Sequence, residues 1–191
     1  MILFRVESGN VAYAPQQQIV PSERYREYLN NLPTEDHKAV IENTLERISE
    51  RSDRKVGLFL FSELKDALIF SSNMYEGSAV IYSVQIDHPN EIMHKGDMNI
   101  IDMLKVATEL DLHNINNGLF ERFCHKYWRF GKTFSPCYEF IARRATVQRL
   151  ICSRDECTEF HQEYKNRDAE SFYSAERCLI YRQKIHGIYA V

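Results

Sequence analysis

The sequence lacks the short motifs by which an enzyme is most readily read. It contains no phosphate loop, no Gly-x-Gly-x-x-Gly, no Gly-x-Ser-x-Gly and no His-Glu-x-x-His. The common designs for nucleotide binding on a glycine turn, for serine hydrolysis and for zinc proteolysis are therefore set aside. Long apolar runs are also missing. The longest, such as Ala67 to Phe70 or Ala79 to Val84, are too short to cross a bilayer. The start, Met1 to Val6, has no basic stretch followed by a long apolar one, so no signal peptide and no membrane partner are expected, and the expected location is cytoplasmic. A formal net charge of -3 excludes a strongly basic surface, so a nucleic acid would have to meet a local patch.

A tight cysteine-pairing pattern is absent too. The five cysteines (Cys124, Cys137, Cys152, Cys157 and Cys178) are odd in number and include no Cys-x-x-Cys. They read most simply as free, partly buried thiols in a reducing compartment. Cys152, Cys157 and His161, joined by Cys124 and His125, come nearest to a zinc site. Cys157 to His161, however, is one turn of an expected helix, and no metal is expected. No repeat, low-complexity tract or Gly/Ser linker interrupts the 191 residues, which points to a single domain spanning 1–191.

What is present is a globular composition, 44% apolar and 27% charged, with several legible elements. Ile2 to Glu7 alternates as a strand. A short helix is expected from Pro21-Ser22 to about Asn31. Thr34-Glu35-Asp36 caps a second helix, in which Val40, Ile41, Leu45 and Ile48 recur at helical spacing. Val56 to Phe61 reads as a strand, with Ser62 as cap of a helix from Glu63 to Ser71. Ser78 to Ile86 is the clearest strand. Gly96-Asp97 leads into a helix from about Met98 to Leu110, and another runs from about Leu119 to Phe130. Glu139 to Ala142 and Thr146 to Cys152 are strands, Asp155 to Asn166 is a polar helix, and Cys178 to Tyr189 is one or two strands. Strands scattered among helices, without regular winding, imply an α+β class.

Three segments carry candidate chemistry. Arg5, on the first strand in Phe4-Arg5-Val6-Glu7-Ser8, can make a paired hydrogen bond to phosphate, or it can lie in solvent on an edge. Phe61-Ser62 ends a strand at the mouth of a helix, where backbone N–H groups are open to a ligand; an ordinary core strand with a serine cap reads equally well. Glu139, in Cys137-Tyr138-Glu139-Phe140-Ile141-Ala142, sits among apolar residues, where a carboxylate is costly unless used or paired; a rim carboxylate is the plainer alternative.

In this order the segments resemble the mono-ADP-ribosyltransferase family, in particular the branch of the cholera toxin catalytic subunit. Its first-strand arginine corresponds to Arg5, and Leu60-Phe61-Ser62 followed by Ala67 stands where the family has Ser-Thr-Ser and a helix with a buried alanine. Ala79 to Asp87 matches the next family strand, and Cys137-Tyr138-Glu139 its Glu-x-Glu. The likeness runs from about residue 2 to residue 152. It implies two packed, mostly antiparallel sheets around an NAD cleft with flanking helices, and NAD as substrate. It also implies that Arg5, Ser62 and Glu139 converge on that cleft. Glu139 would stabilise the cationic ribose, Arg5 would hold the phosphates or ribose, and Ser62 would orient Glu139 or the ribose. Phe61, Phe70 or Tyr75 would stack on nicotinamide.

Two departures qualify the match. Only one hydroxyl of Ser-Thr-Ser is kept. The first Glu of Glu-x-Glu, which in arginine-modifying members polarises the guanidinium, is Cys137, a thiol largely protonated at neutral pH. An acceptor other than protein arginine is expected. The family's acceptor-recognising loop falls on Lys126 to Pro136, where Lys126, Arg129 and Lys132 alternate with Trp128, Phe130 and Phe134. Cations for phosphate and aromatics for bases suit RNA or single-stranded DNA, with Arg143, Arg144 and Arg149 extending the patch in this reading. The plainer reading makes Tyr127, Trp128 and Phe130 the end of a packed helix. The expected activity is thus a toxin-like transfer of ADP-ribose to nucleic acid, with a neutralising protein as a further partner. The alternatives are an NAD glycohydrolase using the same Arg5, Ser62 and Glu139, and a non-enzymatic interaction module.

Overall fold

The structure, a computed structural model, describes residues 1–134 and 136–168. In chain order its elements are β1 (Ile2–Ser8), β2 (Gln18–Ile19), α1 (Arg24–Asn30), α2 (His37–Ser49), α3 (Asp53–Val56), β3 (Leu58–Phe61), α4 (Leu64–Tyr75), β4 (Ala79–Gln85), β5 (Ile92–Asp97), α5 (Met98–Glu109), α6 (Leu112–Ile115), α7 (Asn117–Trp128), β6 (Tyr138–Ala142), β7 (Ala145–Cys152) and α8 (Arg154–Asp168). The class is α+β. The expected strands at Cys178 to Tyr189 lie outside the described residues. No helix among the described residues is long and apolar enough to cross a membrane.

Two compact units divide the chain. The first comprises Met1–Gln17, Phe61–Gln85 and the described residues from Val147 onward. In it β1 pairs antiparallel with β4 along its whole length, from Ile2 opposite Gln85 to Ser8 opposite Ala79, and Phe4 lies opposite Phe61. Six of the seven β4 residues are buried, as its run Ala-Val-Ile-Tyr-Ser-Val requires, and α4 packs on β1, β4 and α8. The second unit comprises Gln18–Leu60 and Ile86–Thr146. Helices α2, α5 and α7 enclose Ile41, Leu45, Ile100, Leu104, Phe120 and Tyr127, and the antiparallel β5–β6 ladder lies alongside α7. Burying six such side chains contributes roughly 1.5–3 kcal/mol each before the cost of ordering them.

Several boundaries depart from expectation for local reasons. Asp36 caps α2 as anticipated, its carboxylate accepting from the Lys38 N–H at 2.8 Å. Val56 ends α3 rather than opening a strand. Gly57 then lets the chain press on Ile141, whose Cγ2 would lie 2.1 Å from a Cβ at that position. Ser62 does not cap α4; Glu63 holds that place without a side-chain bond. The expected pair of packed sheets is not found in either unit among the described residues. Strands β7, β4, β1 and the end of β3 are neighbours in one layer of the first, and β3, β6 and β5 in one layer of the second.

Candidate functional site

Glu139 is the second residue of β6 and is completely buried. Its ladder partner on β5 is Gly96. A Cβ there would come within 2.2 Å of the Tyr127 ring, so the missing side chain is what admits that ring from α7. The Tyr127 hydroxyl donates to Glu139 Oε1 at 2.7 Å. Arg54, on the short α3 and also buried, donates through Nη1 to the same Oε1 and, at 2.7 Å, to the Tyr127 hydroxyl. Arg54 Nε is shared between Glu42 Oε1 and Oε2 at 3.0 and 3.1 Å, and Tyr25 donates to Glu42 Oε1 at 3.2 Å. Glu139 Oε2, also buried, has no hydrogen-bond partner among the described residues.

The electrostatics follow from that wiring. Burial raises the Glu139 carboxyl above its ordinary range, and Arg54 and Tyr127 pull the other way. Burial disfavours the Arg54 charge most strongly, but Glu139, Glu42 and, less, Tyr127 and Tyr25 together more than offset it and hold the guanidinium well above its ordinary value. Tyr25 and Tyr127 are both pushed up, chiefly by burial. Two carboxylates thus face one guanidinium, and full ionisation leaves one excess negative charge in the interior. An uncompensated buried charge is costly, so this arrangement favours either a proton on Glu139 or a cation brought by a ligand.

The segment between α7 and β6 is held by a second buried carboxylate. Asp97 Oδ2 accepts from the Thr133 N–H and hydroxyl, both at 2.7 Å, while Oδ1 accepts from Cys137 N at 3.0 Å and Asn99 N at 3.1 Å. Phe130 adopts φ 57°, a left-handed conformation that costs a non-glycine residue roughly 1 kcal/mol, and the Gly131 N–H returns to the Lys126 carbonyl at 2.8 Å to close the helix. Phe130 is 67% and Phe134 84% exposed, with Lys126, Arg129 and Lys132 exposed around them. Trp128 is different. Its Nε1 donates to the Leu45 carbonyl at 2.9 Å, and its ring packs against Arg51 and His94. The plainer reading, a packed helix end, therefore holds for Tyr127 and Trp128; Phe130 lays its largely exposed ring 5.4 Å from that of His94, and Phe134 stands outside the packing. Arg144 is engaged with Glu91 at 2.6 Å, and Arg143 reaches the Asn90 carbonyl at 3.4 Å.

The remaining candidates lie in the first unit. Arg5 is largely buried and donates from Nε to Glu7 Oε1 at 2.8 Å. That carboxylate also accepts from the Tyr13 hydroxyl at 2.9 Å, and burial with Glu7 pushes the Tyr13 phenol up to about 12. Tyr75 feels both Arg5 and Glu7, though burial does most to raise it. Phe61 and Phe70 lie 5.0 Å apart and Phe70 and Tyr75 6.4 Å, so Arg5, Phe61, Phe70 and Tyr75 belong to one neighbourhood. Phe61 is buried in the core, whereas Ser62, Phe70 and Tyr75 are half-buried. His161 Nδ1 lies 2.9 Å from Ser72 Oγ, and no group of three or more His, Cys, Asp or Glu that could hold a metal occurs among the described residues.

Sequence reasoning missed Arg54, Glu42, Tyr25 and Gly96, and it took Tyr127 only as a packing residue. No family model matches the chain, and no curated protein or solved structure matches it significantly.

Proposed function

We propose that the chain cleaves NAD and transfers the ADP-ribose to a macromolecular acceptor, RNA or single-stranded DNA rather than protein arginine. The observation that carries this reading is Glu139, a buried carboxylate anchored by one oxygen, with the other oxygen unpartnered, in a cluster with one more negative group than positive. Such a group suits a reaction that builds positive charge. When the bond between ribose C1′ and nicotinamide breaks, its electron pair goes to the ring and neutralises it, and the sugar becomes oxocarbenium-like. Glu139 Oε2 would accept from the ribose 2′-hydroxyl and stabilise that charge in a dry setting. NAD must displace the side chains that cover Oε2. An acceptor nucleophile then bonds to C1′ and releases its proton to solvent.

The roles of Arg5 and Ser62 rest on the resemblance alone, and those of the acceptor residues on the resemblance and their exposure. Arg5 holds phosphate or ribose, with Phe70 and Tyr75 as half-buried rings beside it, while Ser62 orients the ribose. Phe130 and Phe134 offer stacking faces and Lys126, Arg129 and Lys132 phosphate partners for the acceptor. An enzyme that modifies nucleic acid endangers the cell that makes it, so a neutralising protein partner belongs to the same proposal.

One observation favours a second reading, a non-enzymatic interaction module. Glu139 is wholly buried and bound to Arg54, as a purely structural ion cluster would be. The same experiment separates the two. The full chain is incubated with NAD labelled in its adenylate half and a whole-cell extract, and nicotinamide release and label on protein, RNA and DNA are measured. Transferase activity predicts nicotinamide release and nuclease-sensitive label, both reduced about a hundredfold by Glu139→Gln. Free ADP-ribose without labelled macromolecule would indicate a glycohydrolase. Absence of nicotinamide release would support the interaction module.

A further inference from the structure

Glu139 is not held by its own strand. Both donors to Oε1 come from elsewhere in the chain, Arg54 from α3 and the Tyr127 hydroxyl from α7. Arg54 is itself fixed through Nε, shared by both oxygens of Glu42, and Glu42 receives a further bond from Tyr25. The order is therefore a relay of fixed groups, Tyr25 to Glu42 to Arg54 to Glu139, with Tyr127 bridging the last two. Every side chain in the chain of contacts from Glu42 to Glu139 is buried, so water cannot substitute for a lost donor without opening the core.

We infer that Arg54 and Tyr127 are positioning residues for Glu139, occupying Oε1 so that Oε2 is the oxygen left for substrate, and that Glu42 positions Arg54. The inference rests on the proposed NAD chemistry and names the groups that prepare its carboxylate. A guanidinium held on one side by Glu42 keeps a fixed orientation, which a lysine ammonium does not reproduce. The tyrosine hydroxyl supplies a donor that favours the ionised carboxylate, the form needed beside a cationic sugar. Gly96 belongs to the same device, because only an absent side chain leaves room for the Tyr127 ring opposite Glu139.

The test uses the full chain and two readouts. The first is the carboxyl stretching band of Glu139, identified by infrared difference against Glu139→Gln and followed with pH. The second is the pH profile of nicotinamide release, with kcat and KM for NAD separated. Tyr127→Phe keeps the ring and its packing and removes only the hydroxyl. It is expected to move the protonation midpoint of Glu139 upward, to move the acid limb of kcat with it, and to lower kcat at pH 7 about tenfold with little change in KM. Arg54→Lys is expected to act in the same direction, and Glu42→Gln more weakly. An infrared midpoint unmoved in Tyr127→Phe, or a kcat loss with no shift of the acid limb, would overturn the positioning role while the NAD reading stood. A wild-type chain that releases no nicotinamide would overturn both, whatever the infrared band did.

Discussion

Acidification offers a quantitative test of how the second unit is packed, because it acts on His94. This residue lies on β5, is 2% exposed, and is enclosed by the rings of Tyr127, Trp128 and Phe130 at 4.8, 4.5 and 5.4 Å. Burial pushes its pKa down to about 4, Arg51 and Arg54 push the same way, and only the Tyr127 backbone favours the charged ring. The folded protein therefore binds fewer protons at this site than the unfolded chain does between pH 6.5 and pH 4. Above pH 6.5 the site adds no pH-dependent cost. As pH falls through that window the cost grows, and below pH 4 it levels off. A shift of about 2.5 units at 1.36 kcal/mol per unit amounts to roughly 3 kcal/mol, a sizeable share of the stability of a small protein.

Carboxylates titrate over part of the same range, so the effect must be read as a difference. His94→Phe keeps an aromatic ring in the stack and removes the proton site. Urea denaturation of both proteins from pH 7.5 to pH 4 is the assay. The stability gap in favour of His94→Phe is expected to widen by about 3 kcal/mol across that interval. A histidine proton resonance assigned to His94 should titrate near pH 4. Parallel pH profiles for the two proteins, or a midpoint close to 6.5, would refute the argument, since the ring would then be solvated or paired.

Three further perturbations bear on the same unit. Arg54→Met leaves Glu42 and Glu139 buried without a cation and is expected to cost about 3–5 kcal/mol at pH 7, measured by urea denaturation, with the loss shrinking as acid neutralises the carboxylates; a loss below about 1 kcal/mol would show that no buried charge depends on it. Gly96→Ala drives a methyl into the Tyr127 ring and is expected to cost about 1–3 kcal/mol and to weaken the Tyr127 bond to Glu139, read from the same infrared band; wild-type stability would contradict the packing described. Phe130→Gly relieves the left-handed backbone but removes the ring stacked on His94, two opposing effects of about 1 kcal/mol, so stability should stay within about 1 kcal/mol of wild type while label transfer to RNA falls and nicotinamide release persists; unchanged transfer would remove Phe130 from the acceptor surface.

Legibility in the sequence followed the kind of signal each element carries. The α2 helix was readable because Val40, Ile41, Leu45 and Ile48 share a face and Asp36 supplies the cap. β4 was readable as an almost unbroken apolar run. β5 was not, because its buried positions are His94, Gly96 and Asp97, none of which reads as a core residue. Each is buried for a reason found elsewhere in the chain. His94 is covered by rings following it by more than thirty positions, Gly96 yields space to Tyr127, and Asp97 collects donors from Asn99, Thr133 and Cys137. A two-residue period cannot reveal a strand whose inward face is polar.

The candidate site divides along the same line. Glu139 stood out because its neighbours are apolar, and a lone carboxylate among them needs an explanation. Arg54 had no such contrast. It sits in Arg51-Ser52-Asp53-Arg54-Lys55, a run that reads as solvated charge, and Arg51 and Lys55 do engage in partly exposed ion pairs. What separates Arg54 from them is the path of the chain. Its partners Tyr127 and Glu139 are 73 and 85 positions away. The explanation that Glu139 demanded was thus encoded at a distance, in residues whose own surroundings concealed it. A carboxylate among apolar residues can announce that a partner exists, but only the fold identifies which cation answers it.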